Sequence, residues 1–162
     1  MSVTDILKSE FNILKTDLIT QYDAQGMRAS GRTANSLEVI ASGLNVKLLG
    51  SDVFEQLEYG RSPNNGSSGK SWDDSVGDIE QWIRDKGLES KLTGKMTIST
   101  LAFLIARKIW RQGWDRKNFG GVELISKVVT AERIQDILDK VGTVVLAEFQ
   151  SEISNLFKTQ LA

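Results

Sequence analysis

The chain reads as a small α+β domain in which an antiparallel β-hairpin packs against several helices, with long helices at the N- and C-terminal ends. Three observations predict this. Val3, Ile6, Leu7, Phe11, Leu14, Leu18 and Tyr22 recur at steps of three and four, the period of an amphipathic helix. Leu37, Val39 and Ala41 alternate with Glu38, Ile40 and Ser42, and after Gly43 the residues Leu44, Val46 and Leu48 alternate with Asn45 and Lys47, the period of a strand. Beyond Thr130 the helical period returns in Ile134, Ile137, Leu138, Val141, Val145, Phe149, Ile153 and Leu156.

The first pattern places an N-terminal helix at about Thr4 to Tyr22, within residues 1–23, packed on the outside of the domain. Asp23 to Thr33 brings Gly26, Ser30 and Gly31 together and reads as a flexible connection. The hairpin and the turn after it occupy residues 36–60, with the reversal near Ser42-Gly43. Val53 to Tyr59 forms a third short apolar segment, strand or helical turn, ending at Gly60. A two-stranded hairpin is marginal alone, so this unit must lie on the helices.

Residues 61–74, RSPNNGSSGKSWDD, hold the one proline of the chain and read as a mobile loop. A helical pair follows over 78–112. Its first member carries Ile79, Trp82 and Ile83 and stops at Gly87; its second runs from Thr97 to Gln112 with Leu101, Leu104, Ile105 and Ile109 as the buried stripe. Ala102 and Ala106 allow close approach. Gly113 to Gly121 is a glycine-rich link, after which Thr130 caps the last helix, residues 130–160. Its stripe is read chiefly as core, with a far end long enough for Phe157 and Leu161 to meet a neighbouring subunit.

At 162 residues, 40% hydrophobic and 25% charged, the chain is expected to form one domain, 1–162, with a core that needs neither disulfide nor metal. It contains no cysteine and no histidine, which removes thiol nucleophiles, imidazole bases and the usual zinc ligands. No enzyme activity, cofactor or metal is expected. No segment approaches the roughly 20 apolar residues of a membrane span, and Asp5 and Glu10 interrupt any signal-like N-terminus, so the protein is expected to be cytosolic when made. A net charge of −1 provides no global field for nucleic acid.

Four features invite a functional reading. Gly66 to Ser71, GSSGKS, ends like a phosphate-binding loop in Gly69-Lys70-Ser71, but Asn64 stands where such a loop has its first glycine, and Asp73 and Asp74 follow. An exposed linker is the preferred reading. Asp73, Asp74 and Asp78 could ligate a hard cation, yet acids at this place also stabilise a helix start, and capping is preferred. Arg107, Lys108, Trp110, Arg111, Trp114, Arg116 and Lys117 form the one basic and aromatic stretch. It suits a solvated helix end, a protein interface, or phosphate contact with base stacking. The fourth is the last helix itself. An enzyme built on carboxylates such as Glu55 and Glu58 is the remaining alternative.

The hairpin Leu37 to Leu49, followed at once by Val53-Phe54-Glu55-Gln56-Leu57-Glu58-Tyr59-Gly60-Arg61, resembles the small head-tail connector and tail-completion proteins of tailed bacteriophages. Leu57, Glu58, Tyr59 and Gly60 fall on the apolar-Glu-aromatic-Gly turn of that family, and the helix Thr97 to Arg111, with its Ile-Ala-Arg-Lys-Ile centre, is similar to its phage relatives. The likeness spans about Thr33 to Gly121. Many members carry a proline- and arginine-containing segment before the last helix, where this chain has only Phe119-Gly120-Gly121.

The resemblance implies a structural virion protein of the neck or tail region, present in the host cytoplasm during assembly. Copies would form a ring around the DNA passage, contacting portal, neck or tail proteins and lying in non-specific proximity to DNA. The implied interface residues are Leu57, Glu58, Tyr59, Gly60, Arg61, Lys70 and Trp72 together with the basic and aromatic stretch. A small nucleic-acid-binding regulator using Arg107 to Lys117 is the alternative.

Overall fold

Ser2 starts the first helix. Its hydroxyl accepts from the Asp5 amide at 3.2 Å while the Asp5 carboxylate accepts from the Ser2 amide at 3.0 Å, a reciprocal capping box that satisfies donors left free by the first turn. The resulting helix α1 spans Val3–Ala24. The computed structural model describes residues 2–63, 71–114 and 123–160. In order they form α1, a one-turn helix α2 (Arg32–Asn35), strands β1 (Glu38–Ser42) and β2 (Asn45–Leu49), α3 (Val53–Tyr59), α4 (Trp72–Asp85), a 3-10 turn (Leu88–Lys91), α5 (Ile98–Gln112) and α6 (Ala131–Gln160). The expected α+β class is the observed one.

Strands β1 and β2 pair antiparallel, with Val39 opposite Leu48 and Ala41 opposite Val46. These pairs share one face, as the period of two requires. Gly43 takes a left-handed φ of 58° at the first loop position, the geometry a tight hairpin reversal needs and one that side chains disfavour. Thr4 of α1 donates its hydroxyl to the Gly43 carbonyl at 2.9 Å, tying the hairpin tip to the start of the helix.

α1 was expected on the outside but is central, with the hairpin on one side and α6 on another. Leu14, Leu18 and Tyr22 are buried, and Leu18 and Tyr22 enter a core with Met27, Ala34, Leu37, Phe54, Leu57 and Leu124. The reason is one of size. Two strands bury one narrow face, so a helix with a long apolar stripe must supply the middle of the core. Tyr22 and Phe54 meet as tilted rings 6.0 Å apart.

The segment Val53 to Tyr59, left open between strand and turn, is the helix α3, whose Phe54 and Leu57 are buried. Helix α4 begins at Trp72, inside the expected loop, because Ser71 caps it: its hydroxyl accepts from the Asp74 amide at 3.1 Å. Residues 64–70 of that loop, Lys70 among them, lie outside the described residues. α4 ends at a left-handed Gly87, with φ 63°. On α5, Thr97 is the cap and Ala102 and Ala106 are the buried positions, whereas Leu104 faces solvent. Small residues let α4 approach closely enough for Ile83 to be fully enclosed, and this turns Leu104 outward while Leu101, Ile105 and Ile109 of the expected stripe are half-buried.

Candidate assembly interface

α6 is attached to α1 by two ion pairs. Arg133 Nη2 lies 3.1 Å from Asp17 Oδ2, and Lys140 Nζ lies 2.7 Å from Glu10 Oε1. As α6 advances from 133 to 140, α1 retreats from 17 to 10, so the helices run antiparallel in a fixed register. Extending that register sets Val3, the first residue of α1, opposite Ala147. Beyond there α6 continues to Gln160 with no α1 beside it, and residues 151–158 are exposed.

The eight-residue stripe expected on α6 therefore separates into two faces. At about 100° of turn per residue, Ile137 and Val141 face α1 while Leu138, Val145, Phe149, Ile153 and Leu156 share another side. Ile137 is buried; Phe149 is 59% and Leu156 65% exposed. Leu146 and Phe157 widen the outer side to an arc of about 120°. The reading of this stripe chiefly as core is corrected: a single helix partner, α1, can cover only one side.

The other implied interface residues scatter. Leu57 is core, and Glu58 is buried with its carboxylate accepting from the Ile125 amide at 2.7 Å, the Ser126 amide at 3.3 Å and the Ser126 hydroxyl. Glu58 thus anchors the turn before α6 rather than a surface, and Glu55, its suggested carboxylate partner, points to solvent. Tyr59, by contrast, is 78% exposed. Gly60 follows with φ 81°, and Arg61 and Trp114 exchange both backbone hydrogen bonds at 2.6 Å, joining the end of α3 to the end of α5. Gly113 makes this possible, since a Cβ there would strike the Arg61 carbonyl.

The basic and aromatic stretch divides by chemistry. Arg107, Lys108 and Arg111 face outward on α5. Trp110 turns toward α4, where Trp72 meets it edge-on at 5.3 Å and also meets Phe103 at 5.6 Å. Trp114 packs against the core. The rings that could have stacked on bases hold helices together instead. Arg116 and Lys117 lie outside the described residues.

Ser71 and Asp74 form the α4 cap, with the Ser71 hydroxyl 2.7 Å from the Asp74 carboxylate, and Asp73 also sits in the first turn. Among the described residues no three carboxylates gather to hold a metal ion, and no helix is long and apolar enough to cross a membrane. Sequence reasoning missed three residues of the core: Met27, Ala34 and the wholly enclosed Leu124. The signal for Leu124 was the apolar run Leu124, Ile125, Val128 and Val129 just ahead of the α6 cap.

A cleft of about 850 Å³ opens between α4 and α5 on one side and the C-terminal end of α1 with α2 and α3 on the other. Trp82 and Ile79 form one wall, and Tyr22, Met27 and Val53 another. Arg32 and Asp85 bridge it at 3.2 Å, and Lys86 donates to the Gly26 carbonyl.

No protein-family model matches the chain, and neither a curated protein nor a solved structure is similar to it at a significant level.

Proposed function

We propose that this chain is a structural assembly subunit without catalytic activity, a head-tail connector or tail-completion protein of a tailed bacteriophage that joins portal and tail around the DNA passage. The observation that carries the assembly reading is the distal half of α6, which runs past the start of α1 with an unbroken apolar arc toward solvent. Apolar patches of more than a few hundred Å² on a protein surface mark contact sites. The phage assignment rests on the sequence resemblance through Leu57, Glu58, Tyr59 and Gly60.

Capture of the tagged protein from its native lysate, with a nuclease-treated control and mass spectrometry, tests this reading. Portal, neck or tail proteins that survive nuclease are the expected result; their absence would end the connector assignment. The second reading, a nucleic-acid-binding regulator, draws on the outward Arg107, Lys108 and Arg111. It requires an affinity for DNA or RNA that falls steeply with added salt.

A further inference from the structure

The outer side of α6 carries its apolar stripe in a regular repeat. From Ile134 the positions Leu138, Gly142, Val145, Phe149, Ile153 and Leu156 follow at steps of four, four and three, so the pattern returns every 11 residues. That repeat averages about 3.67 residues per turn, close to the helix's own period, and keeps the stripe on one side along its whole length. From Ile134 to Leu156 it runs roughly 33 Å at 1.5 Å per residue, and its six large side chains are each at least 36% exposed. A straight apolar stripe of this length fits another long helix. Among the described residues α1, with 22 residues, is the one helix of comparable length, and Arg133 and Lys140 hold it on the opposite side of α6.

The stripe is complementary to itself. Gly142 is its one small member and Phe149 its largest. Within a single chain Gly142 has no packing reason, because a Cβ built there meets nothing within 4 Å, and glycine inside a helix is unfavourable relative to alanine. Two α6 helices laid antiparallel about an axis between Val145 and Leu146 bring Phe149 of each copy over Gly142 of the other. The same alignment sets Leu138 opposite Ile153 and Ile134 opposite Phe157. A parallel pair would instead put ring against ring and glycine against glycine, leaving a gap, and would set like ends of the two helix dipoles together.

We propose that two copies of this chain pair through antiparallel α6 helices, with Phe149 of each copy seated on Gly142 of the other. With Leu146 and Phe157 at its edge, the stripe exposes on the order of 700 Å² per copy for side chains of this size. A standard interface covers roughly 800 Å² per partner. The contact uses the same patch on both copies, so it closes at two. It rests on the assembly reading above in taking the arc as a contact surface, and names the partner of that surface; a ring would draw on a further surface.

Sedimentation of the whole chain at about 100 µM, above the micromolar end of affinities for interfaces of this size, should show a dimer; a monomer would overturn the proposal. Phe149→Glu should be monomeric with unchanged far-ultraviolet circular dichroism. Gly142→Leu raises helix propensity but fills the space the ring takes, and should also be monomeric, whereas a lone alanine methyl there fits beneath the ring. A dimer that persists in Gly142→Leu would reject this register. The chain has no cysteine, so introduced cysteines report single contacts. On oxidation, Val145→Cys alone and a mixture of Leu138→Cys with Ile153→Cys should give covalent dimers, and Leu138→Cys alone none. Dimers from Leu138→Cys alone would mean parallel pairing, and no cross-link in either positive case would reject the contact. A dimer without capture of tail proteins keeps this contact and rejects the connector reading; capture by a chain that is monomeric in solution does the reverse.

Discussion

Lys140 Nζ donates to Glu10 Oε1 at 2.7 Å, and the two differ sharply in exposure: the Glu10 side chain is 9% accessible, that of Lys140 53%. A carboxylate sunk between Ile6 and Leu14 on α1 is thus compensated by a cation that reaches it from α6. Together with Arg133 and Asp17 this pair sets how far α6 extends beyond α1, and so how much apolar surface is left for another molecule.

Lys140→Ala is expected to cost about 1–2 kcal/mol, less than for a fully buried pair because solvent screens the lysine. The loss comes mainly from the stranded Glu10. Adding Glu10→Leu should recover part of it, which urea denaturation of the two single variants and the double variant would reveal. Equal, additive losses would mean that the pair does not couple the helices.

Glu58 offers a sharper test of burial against surface. Glu58→Ala leaves the amides of Ile125 and Ser126 and the Ser126 hydroxyl without their acceptor, and should cost about 1–3 kcal/mol as these part-buried donors lose a charged partner. Glu58→Gln keeps one acceptor oxygen and should lose less. A residue serving only as a contact for another protein would leave the melting temperature unchanged on either substitution.

Two glycines predict opposite signs. Gly113 has φ 71°, and an added Cβ would strike the Arg61 carbonyl and lie 2.9 Å from Pro63 N, so Gly113→Ala should destabilise by more than about 1 kcal/mol. Gly142 lies within α6 with nothing within 4 Å of an added Cβ, so Gly142→Ala should stabilise by about 0.5–1 kcal/mol through helix propensity. Thermal melts of both variants would separate backbone conformation from general intolerance of substitution.

Three exposed carboxylates titrate below their ordinary values. Hydrogen bonds from the Ser2 side chain and then its amide lower Asp5; the Arg28 side chain, bonded at 2.7 Å, lowers Asp23; its own backbone amide and then the Thr130 hydroxyl lower Glu132. Since each folded value is depressed, the stabilisation is complete above the unfolded values, 3.8 for Asp and 4.5 for Glu, and is lost as pH falls through the lower folded ones. Acidification should therefore loosen both ends of α1 and the start of α6 first. Carboxyl chemical shifts followed through the acid range would check this, and midpoints at the ordinary values would refute it.

Much of the fold is local and was readable. Thr130 ahead of Arg133 was read as a cap, and Gly43 and Gly87 mark a reversal and a stop for reasons inherent in their backbones, whereas Ser2 with Asp5 and Ser71 with Asp74 are equally local caps that were passed over. Helix α3 was ambiguous because seven residues satisfy either period poorly. Trp72 was assigned to a loop because the composition around it outweighed the cap at Ser71.

The candidate surfaces were less legible, and Glu58 and Trp110 show why. Each belongs to a stretch whose chemistry suits an interface, yet Glu58 is taken by amides 67 and 68 positions away and Trp110 by Trp72. Such partners are set by chain crossings that no neighbouring residue encodes.

By itself the sequence determined the class, the cores of the four longer helices, where the hairpin turns, and that α6 is long enough for its far end to outrun the domain. Only the tertiary structure decided that α1 lies at the centre, that Ile137 faces inward and Phe149 outward, and that a cleft opens beside Trp82. The physical reason is that periodicity records which side chains avoid water, while the partner that covers them depends on register between elements distant in the chain. In α6 that register is held by Glu10 and Asp17 on α1.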